Sequence, residues 1–103
     1  MNKIIMAVLA TALPLGVTQA ADVAAGKEKA SNVCGSCHGV NGISSSDAFP
    51  NLAGQKAAYL ETALKSYRTG TRKAPIMNNM AANLFDKDIE NLAAYFASLK
   101  PAP

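Results

Sequence analysis

The chain is poor in the residues that build most metal sites and nucleic-acid interfaces. Its 103 residues include no tryptophan, one histidine and two cysteines. A structural zinc site usually needs four Cys or His ligands, which this chain cannot supply. Lysine and arginine number 10 against 7 acidic residues, and no basic cluster with interleaved aromatic side chains is present. The composition therefore gives no case for nucleic-acid binding.

Long apolar runs are also missing. The apolar stretch at residues 4–13 is about half of the ~20 residues that cross a bilayer, which argues against a transmembrane anchor. Lys3 and the small residues before Ala20 instead predict a signal peptide over residues 1–20, an uncleaved anchor being the alternative. We therefore expect one small domain at residues 21–103, exported to the periplasm.

What the chain does contain is a compact motif, CGSCH, at residues 34–38. Two cysteines three positions apart, followed by a histidine, are typical of c-type haem attachment. The thiols of Cys34 and Cys37 can form thioethers with the two vinyl groups of a porphyrin. His38 then lies beneath the iron as a proximal ligand. The motif predicts one covalently bound haem c.

Two other interpretations of the motif fit less well. A thioredoxin-like redox centre needs a strand-helix-strand context, and no run of β-branched residues surrounds the cysteines. A disulfide between such close positions would constrain little of the chain and would leave His38 unexplained.

Helical periodicity predicts an all-α domain. We expect a first helix over residues 23–33 with Asp22 as its N-cap, a second over 56–69 ended by Gly70, and a last helix opened by Asp86 and ended after Lys100 by Pro101. Loops are predicted at 39–55 and 71–83. A loop as long as 39–55 is uncommon unless it packs on something, such as the face of a haem.

Both loops offer candidate haem contacts. A backbone carbonyl of the first loop could accept a hydrogen bond from the second ring nitrogen of His38, and Pro50 is the candidate. Alternatively, Pro50 only helps to form a turn. Met77 and Met80 of the second loop could fill gaps in a core or could ligate the iron through sulfur. Spacing alone does not choose between the two methionines.

The middle of the chain is basic, with cationic residues at Lys56, Lys65, Arg68, Arg72 and Lys73. These charges could steer an acidic redox partner. A solvated helix face is the simpler explanation by default.

Taken together, these segments resemble a known family. The chain is similar to small class I cytochromes c, in particular to the single-haem cytochrome c-553 type and to one half of the di-haem cytochrome c4 proteins. The likeness runs through residues 25–27, the haem motif at 34–39, FPNLAGQ at 49–55, AANL at 81–84 and DIENLAAYF at 88–96. FPNLAGQ and the closing LAAYF are more particular to the family than the haem motif is.

The resemblance implies a class I cytochrome c fold, with helices and loops wrapped around one covalently attached haem. Cys34 and Cys37 would be the thioether sites and His38 the proximal ligand. The distal iron ligand of the family corresponds to Met77 in this sequence, and not to Met80. The carbonyl of Pro50 would orient His38.

Two further positions follow from the resemblance. Gly26 is expected to touch the last helix near Tyr95 and Phe96. Phe85 departs from the family, whose members usually place a Ser N-cap there, so the start of the last helix is uncertain by one residue.

The implied function is a periplasmic one-electron carrier, not an enzyme, with His/Met axial ligands. It would act as a monomer, dock transiently with redox proteins and not insert stably into a membrane. Two alternatives stay open. The chain could be a haem subunit of a larger oxidoreductase complex, or an open-site haem enzyme or gas sensor if no methionine binds the iron.

Overall fold

The computed structural model describes residues 20–103, which form helices and no strand. The α-helices are α1 (Val23–Lys29), α2 (Gly35–His38), α3 (Ala57–Thr69), α4 (Pro75–Ala81) and α5 (Asp86–Ser98), and a π-helical turn, Ala30–Cys34, joins α1 to α2. The predicted all-α class is confirmed. None of the helices in residues 20–103 is long and apolar enough to cross a membrane. The predicted signal peptide, apart from Ala20, lies outside the described residues.

The first helical run delivers the CGSCH motif. The carboxylate of Asp22 caps α1 by accepting a hydrogen bond of 3.0 Å from the N–H of Ala25. The helix widens into the π-turn, where the N–H of Gly35 bonds to the carbonyl of Ala30, and then continues to His38. It therefore extends beyond the predicted end at residue 33, because no helix-breaking residue precedes the motif.

Helix α1 packs closely against α5 at Gly26. A Cβ atom at this position would collide with the backbone carbonyl of Asn91 and would lie 2.9 Å from the Cβ of Tyr95. Only glycine allows the two backbones to approach this closely. The expected contact of Gly26 with the last helix is confirmed at Tyr95, and Asn91 is an even nearer neighbour.

The core lies along the inner face of α5. Ile89 and Leu92 are completely buried there, as the three- and four-residue spacing of apolar residues predicts. Asn91 is also buried, but its side-chain oxygen accepts a hydrogen bond of 2.8 Å from the N–H of Asp22. This bond ties the beginning of α1 to α5.

Helix α3 ends as predicted, at Gly70 in the left-handed conformation with φ +81°. The predicted loop at 71–83 is partly wrong, because Pro75–Ala81 forms α4. Pro75 suits the first turn of a helix, where its missing N–H would have had no partner. A seven-residue helix is too short for its apolar periodicity to be recognised in a sequence.

Helix α5 starts at Asp86, as predicted, although Phe85 cannot act as a side-chain cap. The carboxylate of Asp88 accepts a hydrogen bond of 2.8 Å from the N–H of Phe85 instead. The helix ends at Ser98, before the predicted Lys100. Leu99 is already extended, and Pro101 disfavours helical geometry in Lys100, the residue that precedes it.

Candidate haem site

An apolar cavity lies between α2, the loop after it, α3 and α4. It has two lobes, of about 250 Å³ and about 170 Å³. The residues that line both lobes are Cys34, His38, Pro50, Leu64 and Met77. Four of these five are site residues predicted from the sequence, and the fifth predicted residue, Cys37, lines the larger lobe.

Helical geometry explains why the motif faces the cavity. Residues three and four positions apart share one face of a helix, so Cys34, Cys37 and His38 are neighbours on it. The two cysteines do not form a disulfide. Burial raises the pKa of the Cys34 thiol to about 11, against a smaller opposing effect of the Lys29 charge. Before a haem is attached, Cys34 is therefore a neutral thiol at neutral pH.

The imidazole of His38 is buried and held in one orientation. Its Nδ1 lies 2.8 Å from the carbonyl oxygen of Pro50. A carbonyl oxygen can only accept a hydrogen bond, so Nδ1 carries the proton and donates it. The lone pair of Nε2 is then available for a metal, and the hydrogen bond fixes the ring plane.

The loop that carries Pro50 is itself tied down. It contains no helix or strand between residues 39 and 56, as predicted. The carbonyl of Gly42 accepts hydrogen bonds from the N–H groups of Leu52 and Ala53 at 2.8 and 3.0 Å. The hydroxyl of Ser44 donates to the carbonyl of Cys37 at 3.2 Å. The first two bonds close the loop on itself and the third links it to the CGSCH helix, so the acceptor of His38 has a fixed place.

The two methionines occupy different places on α4. Met77 is half-buried and lines both lobes. Met80 lines only the larger lobe, and 45% of its surface is exposed. The structure therefore brings Met77 together with His38 and Cys34, and leaves Met80 at the rim.

A cationic side chain, that of Arg72, lines the smaller lobe. The sequence had indicated only that the middle of the chain is basic. The guanidinium of Arg72 lies 4.7 Å from the centre of the Tyr67 ring and donates a hydrogen bond of 3.4 Å to the hydroxyl of Tyr59. No carboxylate forms an ion pair with Arg72 within residues 20–103. All three side chains line this lobe.

These features fit a c-type haem. Two thiols and an imidazole with a free Nε2 project from one helix, and a thioether sulfur comes from another element of the same cavity. The walls are mostly apolar, as a large flat macrocycle requires. Arg72, which has no ion-pair partner among residues 20–103, suits the carboxylate edge of such a group. Within the described part of the chain, no group of three or more His, Cys, Asp or Glu side chains could hold a bare metal ion.

Comparison with known proteins agrees with this chemistry. The family model described as Cytochrome c matches residues 23–100. Cytochrome c4 of Pseudomonas aeruginosa is 44% identical over 101 residues, which are 97% of this chain and 50% of the relative. Cytochrome c-554(548) of Halomonas halodenitrificans is 46% identical over 82 residues, which are 77% of this chain and 98% of the relative.

A solved structure extends the comparison to three dimensions. The thiosulfate dehydrogenase of Marichromatium purpuratum matches with a TM-score of 0.73 at 31% identity, over 79% of this chain and 19% of that one. The chain thus spans about half the length of the P. aeruginosa cytochrome c4, nearly all of the Halomonas cytochrome and a small part of the dehydrogenase.

Proposed function

Because the chain belongs to the cytochrome c family and binds one covalently attached haem c, we propose that it is a one-electron carrier whose iron is ligated by His38 and Met77. Haem-based electron transport is the chemistry of this family. The observation that carries the axial assignment is the position of Met77, which lines both lobes of the cavity together with His38. Met80 reaches only one lobe.

Each residue of the site has a distinct task in this proposal. Cys34 and Cys37 hold the haem through thioethers. His38 ligates the iron through Nε2, while its Nδ1–H donates to Pro50 and so keeps the imidazole from turning. Met77 supplies a soft sulfur ligand, which favours the ferrous state. When bound, the haem iron supplies the one-electron ferrous–ferric couple.

Arg72 completes the site at its polar end. Its charge has no carboxylate partner among residues 20–103, and Tyr59 and Tyr67 hold the guanidinium at the smaller lobe. We assign it to the carboxylate edge of the haem, because arginine recognises carboxylates through a rigid fork of donors. The apolar larger lobe would then receive the hydrocarbon edge, near the two cysteines.

We therefore propose that the chain is a carrier and not an enzyme. If His38 and Met77 both ligate the iron, no coordination position would be left for a substrate. The predicted signal peptide at residues 1–20 supports export to the periplasm. A short domain with a single haem supports a monomer that exchanges electrons with transiently docked redox proteins.

One relative favours a second candidate function. The solved thiosulfate dehydrogenase contains a region similar to this chain, so the fold also occurs inside a larger enzyme. The chain could accordingly serve as the haem subunit of an oxidoreductase complex. Purification from the native host distinguishes the two, since a carrier elutes alone at the size of one chain and a subunit co-elutes with its partner in fixed stoichiometry.

Absorption spectra of the haem-loaded protein test the proposal itself. We expect a weak far-red band in the oxidised form, which marks methionine-sulfur ligation, and a reduced spectrum that does not change on addition of carbon monoxide. A reduced spectrum that shifts with carbon monoxide would mean an open iron position. It would replace the carrier with an enzyme or gas sensor.

A further inference from the structure

The side chain of Asn78, next to Met77, forms three hydrogen bonds, all of them with backbone groups. Its oxygen accepts a hydrogen bond of 2.9 Å from the N–H of Ala74. Its amide nitrogen donates to the carbonyl of Tyr67 at 2.8 Å and to the carbonyl of Arg72 at 2.9 Å. One amide therefore contacts three separate points of the backbone.

These three backbone groups belong to three different segments near Met77. Tyr67 lies in the last turn of α3, Arg72 in the turn that follows it, and Ala74 directly before α4. The backbone N–H of Asn78 also bonds to the carbonyl of Ala74, at 2.8 Å. Asn78 thus closes the first turn of α4 and fastens it to α3.

Helix α4 needs such an attachment. It has seven residues, and Ala74 provides no side-chain cap at its N-terminus. Helices this short are not stable by themselves in water, so their position depends on contacts with the rest of the protein. A ligand carried on a loosely held turn would leave the iron readily, because a site works only when its supporting residues hold it in place.

We propose that Asn78 is a positioning residue, which holds the first turn of α4 so that the sulfur of Met77 stays directed at the iron. The inference rests on the proposed His38 and Met77 ligation. It adds that the strength of the Met77–iron bond depends on the three hydrogen bonds of the neighbouring amide.

The chemistry of the amide suggests the sharpest variant. Asn78→Asp keeps the size of the side chain and the acceptor for Ala74. It replaces the donor with a carboxylate oxygen, which would face the carbonyls of Tyr67 and Arg72 and repel them. Asn79→Asp is the matched control, because Asn79 is the next residue, is exposed and makes no side-chain hydrogen bond within the described residues.

The test is the displacement of Met77 by added imidazole in the oxidised, haem-loaded protein, followed by loss of the far-red band. We expect Asn78→Asp to lose the band at about a tenfold lower imidazole concentration than the unmodified protein, the effect of losing one or two hydrogen bonds. Asn79→Asp should titrate like the unmodified protein. If Asn78→Asp does not incorporate haem, Asn78→Ala, which removes the amide without adding a charge, is measured in the same way.

Thermal unfolding separates positioning from general stability. If the Asn78 variant melts at a lower temperature but titrates with imidazole like Asn79→Asp, Asn78 only stabilises the fold and the inference is wrong. If the unmodified protein itself shows no far-red band, the assignment of Met77 as ligand fails, and this inference fails with it. That second failure is distinguishable because it needs no variant.

Discussion

The Nδ1 atom of His38 lies 2.8 Å from the carbonyl oxygen of Pro50, which is 12 residues further along the chain. This hydrogen bond joins the helix that carries the haem motif to the loop that covers it. The acceptor is a backbone group, so the side chain at position 50 can influence it only through the conformation of the loop.

Substitution Pro50→Ala should therefore preserve the iron site and weaken the fold slightly. The carbonyl remains, so we expect the far-red band to persist. The unfolded chain gains freedom, which costs about 0.4–1 kcal/mol of unfolding free energy and lowers the melting temperature by a few degrees. Pro103→Ala, at the exposed end of the chain, is the control and should change neither property. Loss of the far-red band in Pro50→Ala would show that the proline ring is needed to hold the loop in the conformation that orients His38.

The close contact between Gly26 and Asn91 predicts that an alanine at position 26 lowers the stability of the protein, the opposite of its effect in an isolated helix. In an isolated helix, Gly→Ala is stabilising by about 1 kcal/mol. Here the added Cβ would meet the backbone carbonyl of Asn91, which cannot rotate away. We expect Gly26→Ala to destabilise the protein by about 1–3 kcal/mol, the usual cost of overpacking, measured by thermal or denaturant unfolding.

Gly70→Ala is the companion to this experiment. A Cβ at Gly70 would meet nothing within 4 Å among the described residues, but the residue has φ +81°. Its cost should be only that of the left-handed conformation, about 1–2 kcal/mol. If Gly26→Ala proved more stable than the unmodified protein, α1 and α5 would have to lie further apart than the contact between Gly26 and Asn91 implies.

Contacts encoded by single residues were predictable from the sequence, and contacts made by networks were not. The pairing of Gly26 with α5 depends on the residue type at one position, and the hydrogen bond of His38 with the carbonyl of Pro50 lies in segments that a familiar motif reveals. The π-turn at Ala30–Cys34 has no compositional signal, since the segment contains no glycine or proline to mark a departure from α-helical geometry. Helix α4 and the role of Asn78 depend on backbone groups of Tyr67, Arg72 and Ala74, which only the folded chain brings together.

Arg72 offers a test of how the haem is oriented. If its guanidinium faces the carboxylate edge of the haem, Arg72→Gln leaves that negative charge uncompensated and favours ferric iron. We expect the midpoint potential to fall by about 40 mV, equivalent to about 1 kcal/mol for one electron. Lys73→Gln removes the neighbouring charge, which lies outside both lobes, and should shift the potential much less. Equal shifts in the two variants would show that Arg72 acts only through the net charge of the surface.

The central claim is that the sulfur of Met77, and not that of Met80, occupies the distal position on the iron. The paired variants Met77→Ala and Met80→Ala test it directly. The measurement is the far-red band of the oxidised, haem-loaded protein, together with carbon monoxide binding after reduction. We predict that Met77→Ala abolishes the band and binds carbon monoxide, and that Met80→Ala keeps the band and does not respond to carbon monoxide. Loss of the band in Met80→Ala with its retention in Met77→Ala would contradict the account.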